Sequence, residues 1–271
     1  MLQKIMIQRV REICLEDPAI EAAMMYGSFA TGEDDRFSDI EFALFFSDEC
    51  FSHVDQLAWI ARIDTPVLYF PEDYGHHTAI FSNLVRGEFH FQPASKISMV
   101  EMWQGHGRFP SVESTIIVDR TGELEKHLRP LIGLPPQSNT NATLLPVASN
   151  FINLVLLGTN ILARGEFARA WALLSEVHRN LLRLVRLSEN NNEHRPTPAR
   201  LLEKDIPVQL YERYRGCTAD LDKFSLWIAY YETWKWGREL MSIAENRGDT
   251  ALPITIIEAL TRRIETEITE L

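Results

Sequence analysis

The sequence is short of cysteine, short of positive charge and without a long uninterrupted apolar run, and each shortage removes a class of protein. Only three cysteines occur in 271 residues, Cys14, Cys50 and Cys217. They are far apart, form no Cys-x-x-Cys pair and lack the Cys/His spacing of structural zinc, so neither a disulfide framework nor a zinc module is expected. Reduced thiols point to a cytoplasmic chain. Lysine and arginine number 27 against 38 aspartates and glutamates, a formal net charge of −11. Gripping nucleic-acid backbone needs the opposite balance, so no nucleic-acid partner is expected. A single nucleotide as substrate is not excluded, because one triphosphate needs only local positive charge or metal. The longest apolar run, residues 151–163, is interrupted by Asn153, Gly158, Thr159 and Asn160. It reads as a buried helix and falls short of the ~20 residues of a membrane span. The N-terminal MLQKIMIQRVREICLED mixes charges among its apolar residues and has no small-residue cleavage site, so neither a signal peptide nor a membrane partner is expected. There is no Gly-x-x-x-x-Gly-Lys-Ser/Thr loop. A hydrophobic share of 45% and a charged share of 24% are those of an ordered globular protein.

What is present divides at a polar, proline-rich stretch. Residues 1–134 mix short helices with short strand-like runs. Residues 2–14 have helical apolar spacing. Residues 22–26, 38–46, 67–70, 78–81, 88–91 and 115–118 read as strands, bounded by Pro66, Pro71, Gly75 and Gly87. Residues 54–63 and 123–128 read as helices. Residues 135–146, opening Pro135-Pro136-Gln137-Ser138, form the expected linker. From 147 to 271 the pattern is helical. Phe167, Trp171, Leu174, His178, Leu181 and Val185 define one helix face. Leu221, Phe224, Ile228 and Tyr231 open a further helix, and Ile257, Leu260, Ile264 and Ile268 a last one starting near Pro253. Residues 189–200 read as an interhelical loop. The expected fold is α+β: a mixed sheet with flanking helices, followed by an all-α bundle.

Chemistry concentrates in residues 24–46. Met24-Met25-Tyr26-Gly27-Ser28-Phe29 reads as a strand running into a Gly-Ser turn and a short helix, with Gly32 five residues after Gly27. Ser38-Asp39-Ile40-Glu41-Phe42 then opens a strand. Alternation puts Asp39 and Glu41 on one face, while Ile40, Phe42, Leu44 and Phe46 take the other. Two neighbouring carboxylates repel unless a cation lies between them, and a hard, oxygen-preferring Mg²⁺ meets that need. Gly27 lets backbone approach a ligand, and Ser28 offers a hydroxyl to phosphate oxygens. A lone Asp-x-Glu is usually a solvated strand face and a lone Gly-Ser is commoner still; their joint occurrence is restrictive. Arg86-Gly87-Glu88-Phe89-His90-Phe91 supplies a third carboxylate, with Glu88 and His90 on one strand face and Phe89 and Phe91 turned to the core. Glu88 has the chemistry of a general base. Arg86 either neutralises phosphate or is a surface residue at a strand start.

At these residues the chain resembles the nucleotidyltransferase superfamily, whose signature is Gly-Ser followed by Asp-x-Asp or Asp-x-Glu. More narrowly it is similar to the antibiotic lincosamide nucleotidyltransferases of the LinB type. The similarity is carried by residues 24–29, 38–42 and 86–91 and continues through Asp119-Arg120-Thr121-Gly122-Glu123-Leu124-Glu125 and Arg164-Gly165-Glu166-Phe167-Ala168-Arg169. It implies an N-terminal nucleotidyltransferase domain over 1–134 and a helical domain over 147–271. It implies ATP (or another nucleoside triphosphate) and Mg²⁺, transfer of AMP to a hydroxyl of lincomycin or clindamycin with release of pyrophosphate, and a homodimer. Carried over by motif, Asp39 and Glu41 would ligate the metal, Gly27 and Ser28 would hold phosphates, Glu88 would deprotonate the drug hydroxyl and His90 would line the substrate. Glu41 stands where many members carry a second Asp, and still supplies an oxygen ligand. Two other readings share the motif: an aminoglycoside O-nucleotidyltransferase, and a nucleotidyltransferase-type antitoxin acting on a protein partner.

Among the remaining residues, Arg179, Arg183 and Arg186 follow i, i+4, i+7 and read as a solvated face paired with acids such as Glu176. His178 reads as a satisfied core histidine. Trp227, Tyr230, Tyr231 and Trp234 read mostly as bundle core. Arg164-Gly165-Glu166 reads as an interhelical turn, and His76, His77 and His106 lack metal spacing.

Overall fold

The structure is a computed structural model that describes residues 1–72, 76–104, 107–134, 140–189, 197–245, 252 and 254–271. It separates into two units, Met1–Pro136 and Gln137–Leu271.

In the first unit, helix α1 (Leu2–Glu16) precedes strand β1 (Ile20–Met25), the one-turn helix α2 (Ser28–Thr31) and strand β2 (Ile40–Phe46). Short helices α3 (Asp48–Phe51) and α4 (Gln56–Ala61) lead to β3 (Pro66–Pro71), β4 (His77–Phe81) and β5 (Arg86–Pro93). A 3-10 segment (Ala94–Trp103), α5 (Val112–Thr115), β6 (Ile116–Asp119) and α6 (Glu123–Leu128) complete the order. The strands form one mixed sheet in the order β3-β4-β5-β2-β1-β6. The β2–β5 pair is parallel and the other neighbouring pairs are antiparallel. Each strand expected from the sequence is present, with no end moved by more than two residues.

The sheet is covered on both faces. Met6, Val10, Ile13 and Cys14, at helical spacing on α1, pack with Ile40, Phe42, Leu44, Phe46, Phe89 and Phe91. Ala22, Met24, Ala43 and Phe45 pack on the other side with Ile97, Val100, Leu124 and Leu128. Double burial explains why β2 is apolar on both alternating sets except at Glu41, its one charged side chain. Strands buried on both faces lose the simple in–out alternation, so Glu41 stands out as the exception.

Asp119 accepts hydrogen bonds from the backbone N–H groups of Gly122 (2.9 Å) and Glu125 (2.8 Å), which starts α6. Arg120 donates to the Ile20 and Leu15 carbonyls, each at 2.9 Å, and ties β6 to the turn after α1. This stretch of the family-like pattern is thus scaffold.

The second unit consists of α7 (Thr140–Ala163), α8 (Phe167–Ser188), α9 (Leu202–Asp205), α10 (Val208–Arg215), α11 (Lys223–Glu245) and α12 (Ile254–Thr269). Helix α7 begins at Thr140, so residues 140–146 of the expected linker are helical, around Pro146. Residues 135–139, most of the expected 189–200 loop, Gly75, His106 and Pro253 lie outside the described residues. By length and composition Leu144–Ala163 is apolar enough to cross a membrane. Here Ala148, Phe151, Val155, Ile161 and Leu162 build the bundle core. Trp227, Tyr230 and Trp234 are core as read, and the Tyr230 hydroxyl donates to the Ala170 carbonyl at 2.9 Å. The turn at Arg164-Gly165-Glu166 is also as read, with Glu166 paired to Arg169 at 3.0 Å.

Three helical readings change. Trp171, Leu221 and Phe224 are exposed. The buried face of α11 is built on Leu226, Trp227, Tyr230 and Trp234, one position off the expected stripe. Arg186 is fully buried and not solvated. It donates to the carbonyls of Pro198 (2.7 Å) and Arg200 (2.5 Å) and pairs with Asp205 at 2.9 Å. Arg179 pairs with Glu176 at 3.1 Å on the surface, as expected.

His178 is a core histidine, with Nε2 donating to the Cys217 carbonyl at 3.0 Å. Burial lowers its pKa from 6.5 to about 4, against the opposing effect of that hydrogen bond. The folded state holds the neutral ring and the unfolded state takes the proton. The stability it contributes is complete above pH 6.5 and is lost as the pH falls toward 4, about 3 kcal/mol at most. The expected result is an acid-induced loss of helical stability that is shallower across this window in His178→Gln than in the parent, read by denaturant titrations at several pH values.

Candidate active site

The site is built where β1, β2, β4 and β5 run side by side. Strand β1 carries the chain to Tyr26, whose N–H donates to the Glu41 carbonyl at 3.1 Å. Gly27 then turns with φ +72° and ψ −155°, and Ser28 begins α2. A Cβ on Gly27 would lie 1.4 Å from Oε2 of Glu41. The close approach that Gly27 permits is therefore to the Glu41 carboxylate. The Gly-Ser turn and the acidic strand are packed against each other.

Residues 35–38 deliver Asp39 to the start of β2. The Asp35 carboxylate accepts from the N–H of Phe37 (2.8 Å), and the Ser38 hydroxyl accepts from the N–H of Asp35 (2.9 Å). From α1, the buried Gln3 amide donates to the Arg36 carbonyl at 2.8 Å. This clamp joins positions 33 residues apart, and nothing local in the sequence announces it.

Register does the rest. Glu41 on β2 lies opposite Glu88 on β5, and Glu88 lies opposite Thr78 on β4. Asp39, Glu41 and Glu88 thus share one face of adjoining strands, as the alternation predicts. Between Asp39 and Glu88 lies a cation of the chain's own. Nη1 of Arg86 donates to Oδ2 of Asp39 at 2.7 Å and also to Oε1 of Glu88. Its Nη2 donates to the Thr78 hydroxyl at 3.3 Å and lies 3.9 Å from Glu72. Burial alone would lower the pKa of Arg86, but hydrogen bonds and charge from Glu88 and Asp39 outweigh it and raise it further. Arg86 is a site residue rather than a surface residue. Its position two residues before Glu88 on the same strand was the available signal.

An aromatic group flanks the carboxylates. His90 packs against Tyr26, Trp103 and His76, with ring centroids 5.8, 5.4 and 5.3 Å away. Burial, then the charge of His76, lowers His90 to about 4, so its imidazole is neutral at neutral pH. The Tyr26 hydroxyl is buried without a hydrogen-bond partner among the described residues. Burial, then the Glu41 and Glu88 carboxylates, raise its pKa well above 10.0. The sequence pattern reads Tyr26 only as part of the 24–29 motif and gives Trp103, Thr78 and Glu72 no site role, because their convergence depends on strand order.

Asp39 and Glu41 offer carboxylate oxygens, which suit a hard cation. Among the described residues no three His, Cys, Asp or Glu side chains converge as a ready-made cage. Two carboxylates supplemented by substrate phosphate oxygens are the usual protein share of a Mg²⁺ site, and Asp39 and Glu41 fit that share.

A mixed sheet setting a Gly-Ser turn against Asp-x-Glu, with a third carboxylate on the neighbouring strand, is consistent with a nucleotidyltransferase fold. Residues 8–67 match the polymerase beta nucleotidyltransferase family, a match that takes in Gly27, Ser28, Asp39 and Glu41 and ends before Glu88. Residues 140–263 match the lincosamide nucleotidyltransferase-like C-terminal domain. The first unit thus carries a nucleotidyltransferase domain and the second a lincosamide nucleotidyltransferase-like C-terminal domain. Among solved structures it is similar to an aminoglycoside 6-adenyltransferase from Bacillus subtilis, at 14% identity over 96% of both chains and a TM-score of 0.44. It is also similar to a nucleotidyltransferase-like protein from Exiguobacterium sibiricum, at 15% identity over 91% of this chain and 78% of that one, with a TM-score of 0.38. No curated protein matches the chain.

Proposed function

We propose that the chain transfers AMP from ATP to a hydroxyl of a lincosamide antibiotic, releasing pyrophosphate. The observation that carries the reaction class is the row Asp39, Glu41 and Glu88 on one sheet face, held against the Gly27-Ser28 turn. The substrate class rests on the lincosamide nucleotidyltransferase-like second half.

Asp39 and Glu41 would hold Mg²⁺. Bound there with the nucleotide, that ion supplies charge compensation for the triphosphate. Gly27 and Ser28 receive the phosphates. The acceptor hydroxyl attacks the α-phosphorus in line with the bond to the bridging oxygen of pyrophosphate. Glu88 takes the hydroxyl proton, a new P–O bond forms, and the bond to pyrophosphate breaks with its electron pair. Tyr26, His90 and Trp103 offer a largely apolar wall of the kind a drug-sized acceptor needs. The chain acts as a homodimer in the cytoplasm.

Glu88→Gln should lower kcat by about a hundredfold or more while leaving KM for nucleotide within a few-fold, the scale of a lost general base. An unchanged kcat in steady-state assays would remove Glu88 from that role. The reading as a whole is tested by pyrophosphate release with Mg²⁺-ATP over lincomycin, clindamycin, kanamycin and streptomycin, with mass spectrometry of each drug. Gain of one AMP group by the lincosamides alone is the expected result. Adenylation of an aminoglycoside instead would keep the chemistry and overturn the substrate. Silence across the panel with ATP binding intact would shift weight to a protein acceptor.

A further inference from the structure

Three carboxylates, Asp39, Glu88 and Glu72, gather around one guanidinium. Arg86 bonds Asp39 and Glu88 through Nη1, while Nη2 reaches Thr78 at 3.3 Å and lies 3.9 Å from Glu72. Glu41 stands opposite Glu88 in the strand register, and Glu72 in turn accepts from the Thr78 hydroxyl at 3.2 Å. Two features follow. The cluster is over-supplied with negative charge even with Arg86 in place, so it still attracts a cation. The guanidinium also has two sets of partners, an inner one at Asp39 and an outer one at Thr78 and Glu72.

We infer that Arg86 is the resting counter-ion of this site: it occupies Asp39 in the free protein, and a divalent cation entering with nucleotide displaces it from Asp39 onto its outer partners. Arg86 is then a positioning residue, acting through Asp39 and Glu88. In the absence of nucleotide it screens carboxylates that would otherwise repel one another. It also competes with bare metal, so that metal enters together with the triphosphate, whose oxygens supply the missing ligands and whose charge offers the guanidinium compensation. This inference rests on the assignment of Asp39 to the metal under Proposed function.

The competition has a readout independent of turnover. Manganese binding to the nucleotide-free protein can be followed by the loss of the free-ion electron paramagnetic resonance signal. Arg86→Met should bind Mn²⁺ more tightly than the parent by about tenfold or more, because a charge-assisted hydrogen bond no longer has to be broken. Arg86→Lys, which keeps the charge, should stay near the parent value. In Arg86→Met/Asp39→Asn the gain should vanish. The melting temperature of Arg86→Met should fall in EDTA and recover with Mg²⁺, whereas the parent should not respond. If folded Arg86→Met binds Mn²⁺ no more tightly than the parent, Arg86 does not compete with the metal and the inference fails. Should Arg86→Met not fold, Arg86→Gln serves in its place with the same expectation. Failure of the underlying assignment looks different: the parent would then bind Mn²⁺ with a non-hydrolysable ATP analogue no better than Asp39→Asn does.

Discussion

Asp39→Asn should reduce AMP transfer by at least about a thousandfold, the scale of removing preorganised charge stabilisation from a transition state, while leaving the protein folded. Asn keeps the shape of the side chain and removes its charge. Asp39 immediately precedes β2 and is half-buried. Its bond to Arg86 is partly exposed, with side-chain exposures of 34% and 37%, so the stability change should be within about 1 kcal/mol. Activity and stability are thereby separated: the chemical loss is large and the melting curve moves little. A folded Asp39→Asn protein with near-parental turnover would remove Asp39 from the mechanism.

Gly27→Ala should be nearly as damaging, for a geometric reason. Gly27 holds φ +72° and ψ −155°, a region that residues with a Cβ avoid at a cost of order 1–3 kcal/mol. The added Cβ would also fall 1.4 Å from Oε2 and 2.3 Å from Cδ of Glu41. Glu41 has to leave its position, so kcat should fall by about a hundredfold or more, as expected when a reacting group is moved by an ångström. Gly32→Ala is the control. Gly32 has φ +74°, but a Cβ there meets nothing within 4 Å. It should cost about 1 kcal/mol of backbone strain and leave kcat near the parent value. Equal losses of kcat in the two variants would show that strain, and not displacement of Glu41, is responsible.

The contrast between these glycines shows what a sequence can convey. Gly27, Ser28, Asp39 and Glu41 were legible because they lie within fifteen consecutive residues, where strand alternation and turn chemistry act locally. The shared face of Asp39 and Glu41 follows from period two alone. The pairing of Glu41 with Glu88 does not, since it depends on β5 lying parallel to β2, a crossover that no local pattern encodes. The same holds for Thr78, which reaches Arg86 because β4 flanks β5, and for Gln3, which braces the turn before Asp39 from the first helix. In the bundle, α11 is aromatic on more than one side, so its buried face could not be fixed from spacing. Phe224 turned outward and Leu226 inward. Arg186 misled for a related reason. A charged residue at helical spacing normally marks a wet face, and here three partners, the Pro198 and Arg200 carbonyls and Asp205, satisfy it inside the protein.

The most direct test of nucleotidyl transfer is to follow radiophosphorus from labelled ATP into lincomycin, with the label placed in one experiment at the α position and in another at the γ position. Attack at the α-phosphorus predicts that α label enters the drug and γ label leaves in pyrophosphate, with Asp39→Asn abolishing both. Entry of γ label into the drug would contradict the central claim and make the chain a phosphotransferase.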